Sequence, residues 1–234
     1  MDKLKILRLN LSLSSTSIEQ VFQREEMSTA QALRQEYGFS DRMIESFFAP
    51  FFSGIFLERD LSTSRRMFDF VFKMFGSGHA AVPVLGMEEI PKQLANPLPQ
   101  NSITTGTKVS RIEGQNVQLE DGSSFTAPHI LVATEATGLV KELTSVRTQH
   151  RSTTHLHFSA EAPPIQQALI ALNTKRDRIT NNICTISQVS ADYAPAGQHL
   201  ISISVLGAAD LPPADLEKMV RKELGTWFGK ATEE

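Results

Sequence analysis

The chain has 234 residues, 41% of them apolar and 21% charged, an ordinary globular composition with enough apolar mass to bury a core. Its 23 Lys and Arg against 26 Asp and Glu leave a net charge of −3, which excludes a broad basic field that would hold nucleic acid or an anionic membrane by charge. A single cysteine, Cys184, excludes an internal disulfide framework and a cysteine-based zinc site, and suits a reducing compartment. No apolar run reaches the roughly 18 residues of a transmembrane span, and Met1-Asp2-Lys3-Leu4-Lys5 lacks the apolar stretch of a signal peptide, so a cytoplasmic or stromal location is expected. One feature is unusual: 14 residues are Phe against 2 Tyr and 1 Trp, and the Phe are concentrated between Phe47 and Phe75.

The first hundred residues read as helices. Ser28-Thr29-Ala30-Gln31 has the spacing of a capping box and opens a short helix to Tyr37, with Gly38 as its stop. Ser40 caps a second segment in which Ile44, Phe47, Phe48, Phe51 and Ile55 recur at helical spacing, and Pro50 should kink or divide it. Ser62 opens a third helix through Phe75 whose Met and Phe residues surround almost the whole circumference, the pattern of a helix buried on all sides. Gly76-Ser77-Gly78 ends it, and a fourth helix runs from Glu88 to about Leu98. After Pro99 the period becomes alternating. Lys108 to Ile112, Val117 to Glu120 and Ser123 to Ala127 read as strands, the last two joined through the hairpin signal Asp121-Gly122. His129 to Thr134 is nearly continuous apolar, as a strand covered on both faces would be. Thr153 to Phe158, Ala168 to Asn173, Asn182 to Val189 and Leu200 to Leu206 add four strands, and Pro213 to about Phe228 is a helix with Leu216, Met219, Val220, Leu224 and Trp227 on one face. The fold class is α+β: a helical N-terminal part, then a mixed or antiparallel sheet, then a C-terminal helix.

Motifs that carry chemistry are sparse. Gly76-Ser77-Gly78-His79-Ala80-Ala81 matches a form of the dinucleotide fingerprint, but a helix precedes it and Val82-Pro83-Val84 follows, whereas the motif needs a strand before and a helix after. It reads as a helix stop. His155 and His157 leave the same face of one strand, yet no Asp, Glu or Cys at usable spacing supplies a third ligand, so no metal site is expected. Cys184, with no base or cation near it in sequence, reads as a small buried residue. No nucleophile elbow and no isolated carboxylate pair appears. The phenylalanines fit a core, or the wall of a slot for a flat or long apolar ligand.

The run from Phe47 to Phe68, Phe47-Phe48-Ala49-Pro50-Phe51-Phe52-Ser53-Gly54-Ile55-Phe56-Leu57-Glu58-Arg59-Asp60-Leu61-Ser62-Thr63-Ser64-Arg65-Arg66-Met67-Phe68, resembles the substrate-side helices of FAD-dependent oxidoreductases of the flavin-containing amine oxidase superfamily, nearest the phytoene-desaturase-like branch. Leu85-Gly86-Met87 and the helix after it look like that family's Gly-Gly-Met loop, with Leu85 in place of the first Gly. Lys108 to Ile112, the Asp121-Gly122 hairpin and Ile130-Leu131-Val132-Ala133-Thr134-Glu135-Ala136 match its next elements in order, with Thr137 where the family often has Pro. The resemblance implies substrate-domain helices over 1–100, strands of an incomplete FAD-binding domain over 101–140, and a substrate-domain sheet with its terminal helix over 141–234. It implies cofactor contacts at Val109, Thr134, Glu135, Gly86 and Met87, and an apolar substrate site drawing on Phe51, Phe52, Phe72, His155 and His157.

The implied activity is hydride transfer from a hydrophobic small molecule to flavin. FAD is expected in the complete protein and not on this chain alone, because the family's Gly-x-Gly-x-x-Gly turn and C-terminal Gly-Asp segment do not occur in it. The expected partners are the apolar substrate and a second copy of the chain through the surface that would face the FAD domain; neither nucleic acid nor a transmembrane segment is expected. The rival reading is a non-catalytic module that binds an apolar ligand or a chain supplying the FAD halves.

Overall fold

The computed structural model describes residues 2–143, 145, 150–207 and 211–229. Helices α1 (Asp2–Ser14), α2 (Ile18–Phe22), α3 (Thr29–Gln31), α4 (Asp41–Met43), α5 (Ala49–Phe56), α6 (Arg65–Ser77) and α7 (Glu89–Ala95) come first. Strands β1 (Val109–Glu113), β2 (Asn116–Leu119), β3 (Ser124–Thr126), β4 (Thr153–Ala160), β5 (Ile170–Leu172), β6 (Thr180–Thr185) and β7 (His199–Leu206) follow, and α8 (Pro213–Phe228) comes last. The class is α+β with two antiparallel sheets. The chain divides into two compact units, one of Met1–Met87 with Arg151–Glu234 and one of Glu88–His150.

In the larger unit, local signals set the helix starts. The Ser28 hydroxyl accepts from the Gln31 N–H while the Gln31 side chain accepts from the Ser28 N–H, the reciprocal pair of a capping box. The helix then widens into a π-turn over Ala32–Glu36. A second π-turn over Ile44–Phe48 leads into α5, whose first turn contains Pro50. The proline therefore falls where an N–H has no intrahelical acceptor, and the wide turn before it takes up the distortion expected as a kink. Helix α6 starts at the Ser64 cap rather than at Ser62, whose hydroxyl instead donates to Glu58 at 2.7 Å.

The phenylalanines form the core of these helices. Phe48, Phe52 and Phe68 are fully buried, with ring centroids 5.9 Å apart for Phe48 and Phe68 and 4.7 Å for Phe52 and Phe68. Helix α6 is not buried all round, as its composition suggests. Phe68 and Asp69 are buried where α1 and α2 pack, while Met67, Met74 and Phe75 stay exposed because the packing comes from one side. Asp69 lies among the aromatics with no exposed side-chain surface, accepting from Arg24 at 2.7 Å and from the Tyr37 hydroxyl at 2.6 Å. Burial raises the carboxyl pKa above its ordinary 3.8 against the opposing pull of Tyr37 and Arg24, and burial beside Asp69 raises the Tyr37 pKa as well.

The four-stranded sheet of this unit has the order β4-β7-β6-β5. Alternation along β7 sends Ile201, Ile203 and Val205 to one face, where they pack with Ile183 against Leu216, Val220 and Leu224 of α8. Helix α5 crosses the sheet at β6. A register shift between Thr180 and Asn182 lets the Asn181 side chain donate to the Pro50 carbonyl at 3.1 Å. Gly54 permits this approach, since a Cβ there would sit 2.8 Å from Asn181 Nδ2 and 3.0 Å from Asn182 Nδ2. Arg151, just before β4, donates to the Phe56 carbonyl at 3.1 Å and to Thr63 Oγ1 at 3.0 Å, and pairs with the buried Glu58.

The smaller unit holds α7 and the sheet β1-β2-β3. Gly122 turns the β2–β3 hairpin at a φ of +85°, and Asp121 Oδ1 accepts from the Ser123 N–H at 2.9 Å. Ile112 and Val117 are its buried apolar residues. Residues 129–134 are not the expected strand: no ladder forms along them, and Leu131 is 92% exposed. An extended segment becomes a strand only when another pairs with it, and among the described residues none does.

Two stability measurements test this packing. Arg24→Ala leaves a buried carboxylate without its cation and should cost about 3–5 kcal/mol at neutral pH. The raised Asp69 pKa means that folding is favoured by protonation, an advantage complete below pH 3.8 and lost as pH rises through the folded-state value. The deficit of Arg24→Ala should therefore deepen with rising pH in urea unfolding series; a deficit independent of pH would contradict this. Gly54→Val drives side-chain atoms into Asn181 and Asn182 and should lose about 1–3 kcal/mol, whereas an unchanged melting curve would mean that α5 is not seated on the sheet.

Candidate functional site

The face of the four-stranded sheet opposite α8 is polar. Its residues follow from register. His155 on β4 stands opposite Ser204 on β7, which stands opposite Asn182 on β6; His157, Ser202 and Cys184 form the next row. Hydroxyl and imidazole approach each other along both rows, Ser204 Oγ to His155 Nδ1 at 3.2 Å and Ser202 Oγ to His157 Nε2 at 3.5 Å. Both histidines are exposed, so the face is open on the β4 side, while α5 covers it at β6 beside Gly54. Each imidazole and each hydroxyl can both donate and accept, so these rows can hold a polar group of a ligand and turn it without requiring charge. Cys184 is half-buried, and burial pushes its thiol pKa up, which disfavours a nucleophilic role. Among the described residues no group of three or more His, Cys, Asp or Glu is placed to hold a metal.

The aromatic candidates divide by depth. Phe52 is fully enclosed in the core, whereas Phe51 and Phe72 are half-buried at its margin. Phe51 stacks on Phe47 at 5.6 Å and meets Phe75 edge-on at 5.4 Å, and Phe72 packs on Phe68 at 5.7 Å. A cavity of about 690 Å³ lies on the opposite face of the sheet, under α8, lined by Phe158, Ile183, Ile201, Leu224 and Phe228, with the Arg221 guanidinium 4.6 Å from the Phe158 ring centroid. Phe51, Phe52, Phe72, His155 and His157 do not line it. The serines of the polar face, Ser202 and Ser204, were legible only as the polar half of an alternation in β7. Which side chains they meet depends on strand pairing.

The residues matched to cofactor contacts fall in both units. Gly86 and Met87 belong to the larger, in a loop tied down by the Tyr193 hydroxyl, which donates to the Pro83 carbonyl at 2.7 Å. Gly86 has a φ of +98° with open space around it, and Met87 is exposed. In the smaller unit, Val109 pairs with Leu119 at the start of β1. Thr134 and Glu135 are exposed there, and Glu135 Oε1 lies 3.0 Å from His150 Nε2 and accepts from Thr137 Oγ1 at 3.2 Å. A dinucleotide's pyrophosphate needs backbone N–H groups at a helix N-terminus. The run Gly76 to Ala81 instead sits at the C-terminal end of α6, where carbonyls and the negative pole of the helix dipole point. It does not fit the FAD pyrophosphate. Among the described residues no helix is long and apolar enough to cross a membrane.

Comparisons with known proteins agree with this architecture. The family model for flavin-containing amine oxidoreductases matches residues 1–234. Among solved structures the chain is similar to a protein from Pyrococcus furiosus, with a TM-score of 0.66 and 13% identity over 96% of this chain and 61% of that one. It is similar to an oxidoreductase from Methanosarcina mazei, with a TM-score of 0.69 and 18% identity over 99% of this chain and 57% of that one. It is also similar to a reduced UDP-galactopyranose mutase, with a TM-score of 0.63 and 11% identity over 93% of this chain and 55% of that one. At such identities the likeness concerns the fold, and the chain spans 55–61% of the length of these structures. No curated protein matches it. Matched by the family model along its whole length, the chain belongs to the flavin-containing amine oxidoreductase family.

Proposed function

We propose that this chain forms the substrate-binding part of an FAD-dependent oxidoreductase that acts on a hydrophobic small molecule. The family match over residues 1–234 is the observation that carries the redox assignment. The run from Phe47 to Phe68 favours the phytoene-desaturase-like branch. In such a protein the flavin supplies the redox chemistry, and the polypeptide supplies binding, orientation and exclusion of water. That division of labour accounts for a polar face without a nucleophile, a metal cluster or a carboxylate pair.

The substrate is assigned to the polar face of the sheet. Phe51 belongs to α5, the helix that packs on β6, and it and Phe72 lie at the half-buried margin of the helical core, while Phe52 acts from behind by holding the ring packing. His155 and His157, steadied by Ser204 and Ser202, hydrogen-bond a polar group of the substrate and so fix its orientation. An apolar ligand gains about 25 cal/mol for each Å² it removes from water, so area supplies affinity and the two rows supply registration. Gly86, Met87, Val109, Thr134 and Glu135 are assigned to the cofactor side, with the FAD pyrophosphate held by residues other than these.

Turnover by the complete, FAD-loaded protein tests the proposal. His155→Ala and His157→Ala should each lower kcat/KM about tenfold, the loss of one hydrogen bond to substrate. Each should leave stability within about 0.5 kcal/mol, because both side chains are exposed. Turnover that persists after FAD is removed would refute the redox assignment, and an unchanged kcat/KM in the double variant would refute the site.

A further inference from the structure

A crevice of about 290 Å³ in the larger unit gathers four arginines: Arg34 from the π-turn after α3, Arg59 from the loop after α5, and Arg176 and Arg178 from the β5–β6 connection. Only two carboxylates, Glu45 and Asp60, share its walls. Arg176 is paired with Glu45 at 2.5 Å, and Arg34 with Asp41 at 3.2 Å. Arg59 and Arg178 have no such partner: among the described residues no carboxylate lies within 4.0 Å of either guanidinium. Arg59 donates to the Arg178 carbonyl at 3.1 Å, which brings two like charges into one neighbourhood.

Arg178 is the unusual member. It is half-buried, and it spends two donors on the Lys175 carbonyl at 3.1 Å and Asn181 Oδ1 at 3.4 Å. Its Nε is buried with no hydrogen-bond partner. A buried guanidinium donor without an acceptor is costly, and a second cation beside it adds repulsion. Burial lowers the Arg178 pKa, the Arg59 charge lowers it further, and the Glu223 carboxylate opposes them. An anion placed between Arg59 and Arg178 would offset the repulsion between the two charges.

We propose that this crevice is an anion site for a phosphate monoester or diphosphate group, held in the forks of Arg59 and Arg178 with Arg34 and Arg176 at its rim. Guanidinium forks match the tetrahedral oxygens of phosphate and bind them through charge-assisted pairs of hydrogen bonds. The site shares no residue with the polar sheet face, and the inference does not depend on the redox assignment. The phosphate can belong to a soluble ligand or to a lipid headgroup; the recognition chemistry is the same.

Titration with inorganic pyrophosphate at constant ionic strength, followed by calorimetry, tests the site. The chain should bind in a saturable 1:1 manner, and Arg59→Gln should weaken binding about tenfold through loss of one charge-assisted contact. Arg59 is exposed, so this variant should melt as the parent does without anion; Arg59→Lys should retain part of the affinity. Co-sedimentation with phosphatidic acid vesicles, displaced by pyrophosphate, would assign the phosphate to a lipid, whereas pyrophosphate binding without sedimentation would assign it to a soluble ligand. Absence of saturable binding, or equal affinity in Arg59→Gln, would overturn the proposal.

Discussion

The seam between α5 and β6 is the contact on which the larger unit depends. It is made where a bulge in β6 frees Asn181 to reach the Pro50 carbonyl and where Gly54 offers no side chain to hold the strand away. Around it, Arg151 binds the loop after α5 through the Phe56 carbonyl, Thr63 and the buried Glu58. These interactions join residues about one hundred positions apart. They are polar and directional, so they fix the angle at which the aromatic helices meet the sheet, which apolar contact alone would leave loose.

The seam also decides what each face of the sheet can do. One face is closed by α8 through an Ile and Val surface that matches the helix's Leu216, Val220 and Leu224. On the other, α5 covers β6 and leaves the His155 and His157 rows open. An open face with two rows of hydrogen-bonding side chains is a surface on which, under the proposed function, an apolar molecule with one polar end is held in a single orientation. Under the proposed function the flavin supplies the chemistry of transfer, which therefore need not be sought among these side chains.

Much of this fold was legible in the sequence wherever local chemistry decides structure. The capping box at Ser28, the cap at Ser40, the Asp121-Gly122 hairpin and the span of α8 follow from short-range patterns, and all are present. Helix α1 is less visible because Leu7, Leu9, Leu11 and Leu13 alternate like a strand; Leu9 and Leu13 are buried while Leu7 and Leu11 are exposed. The two π-turns have no sequence signature, and Pro50 revealed only that something must give near it. Residues 129–134 show the limit from the other side, since a nearly continuous apolar run marks a capacity to pair and not the pair itself. The candidate site behaves in the same way. His155 and His157 could be placed on one face from their spacing, but their Ser202 and Ser204 partners are products of the β4–β7 register. The depth of Phe52 relative to Phe51 and Phe72 is a product of helix packing.

The claim that the substrate lies on the polar face, and not in the cavity under α8, is tested most directly by a crystal structure of the flavin-loaded protein with a bound hydrophobic substrate analogue. The account predicts ligand density over the β4 and β7 rows, with a polar atom within hydrogen-bond distance of His155 or His157 and the apolar body toward Phe51. Density confined to the cavity lined by Phe158, Ile201 and Leu224, with both histidines untouched, would contradict it.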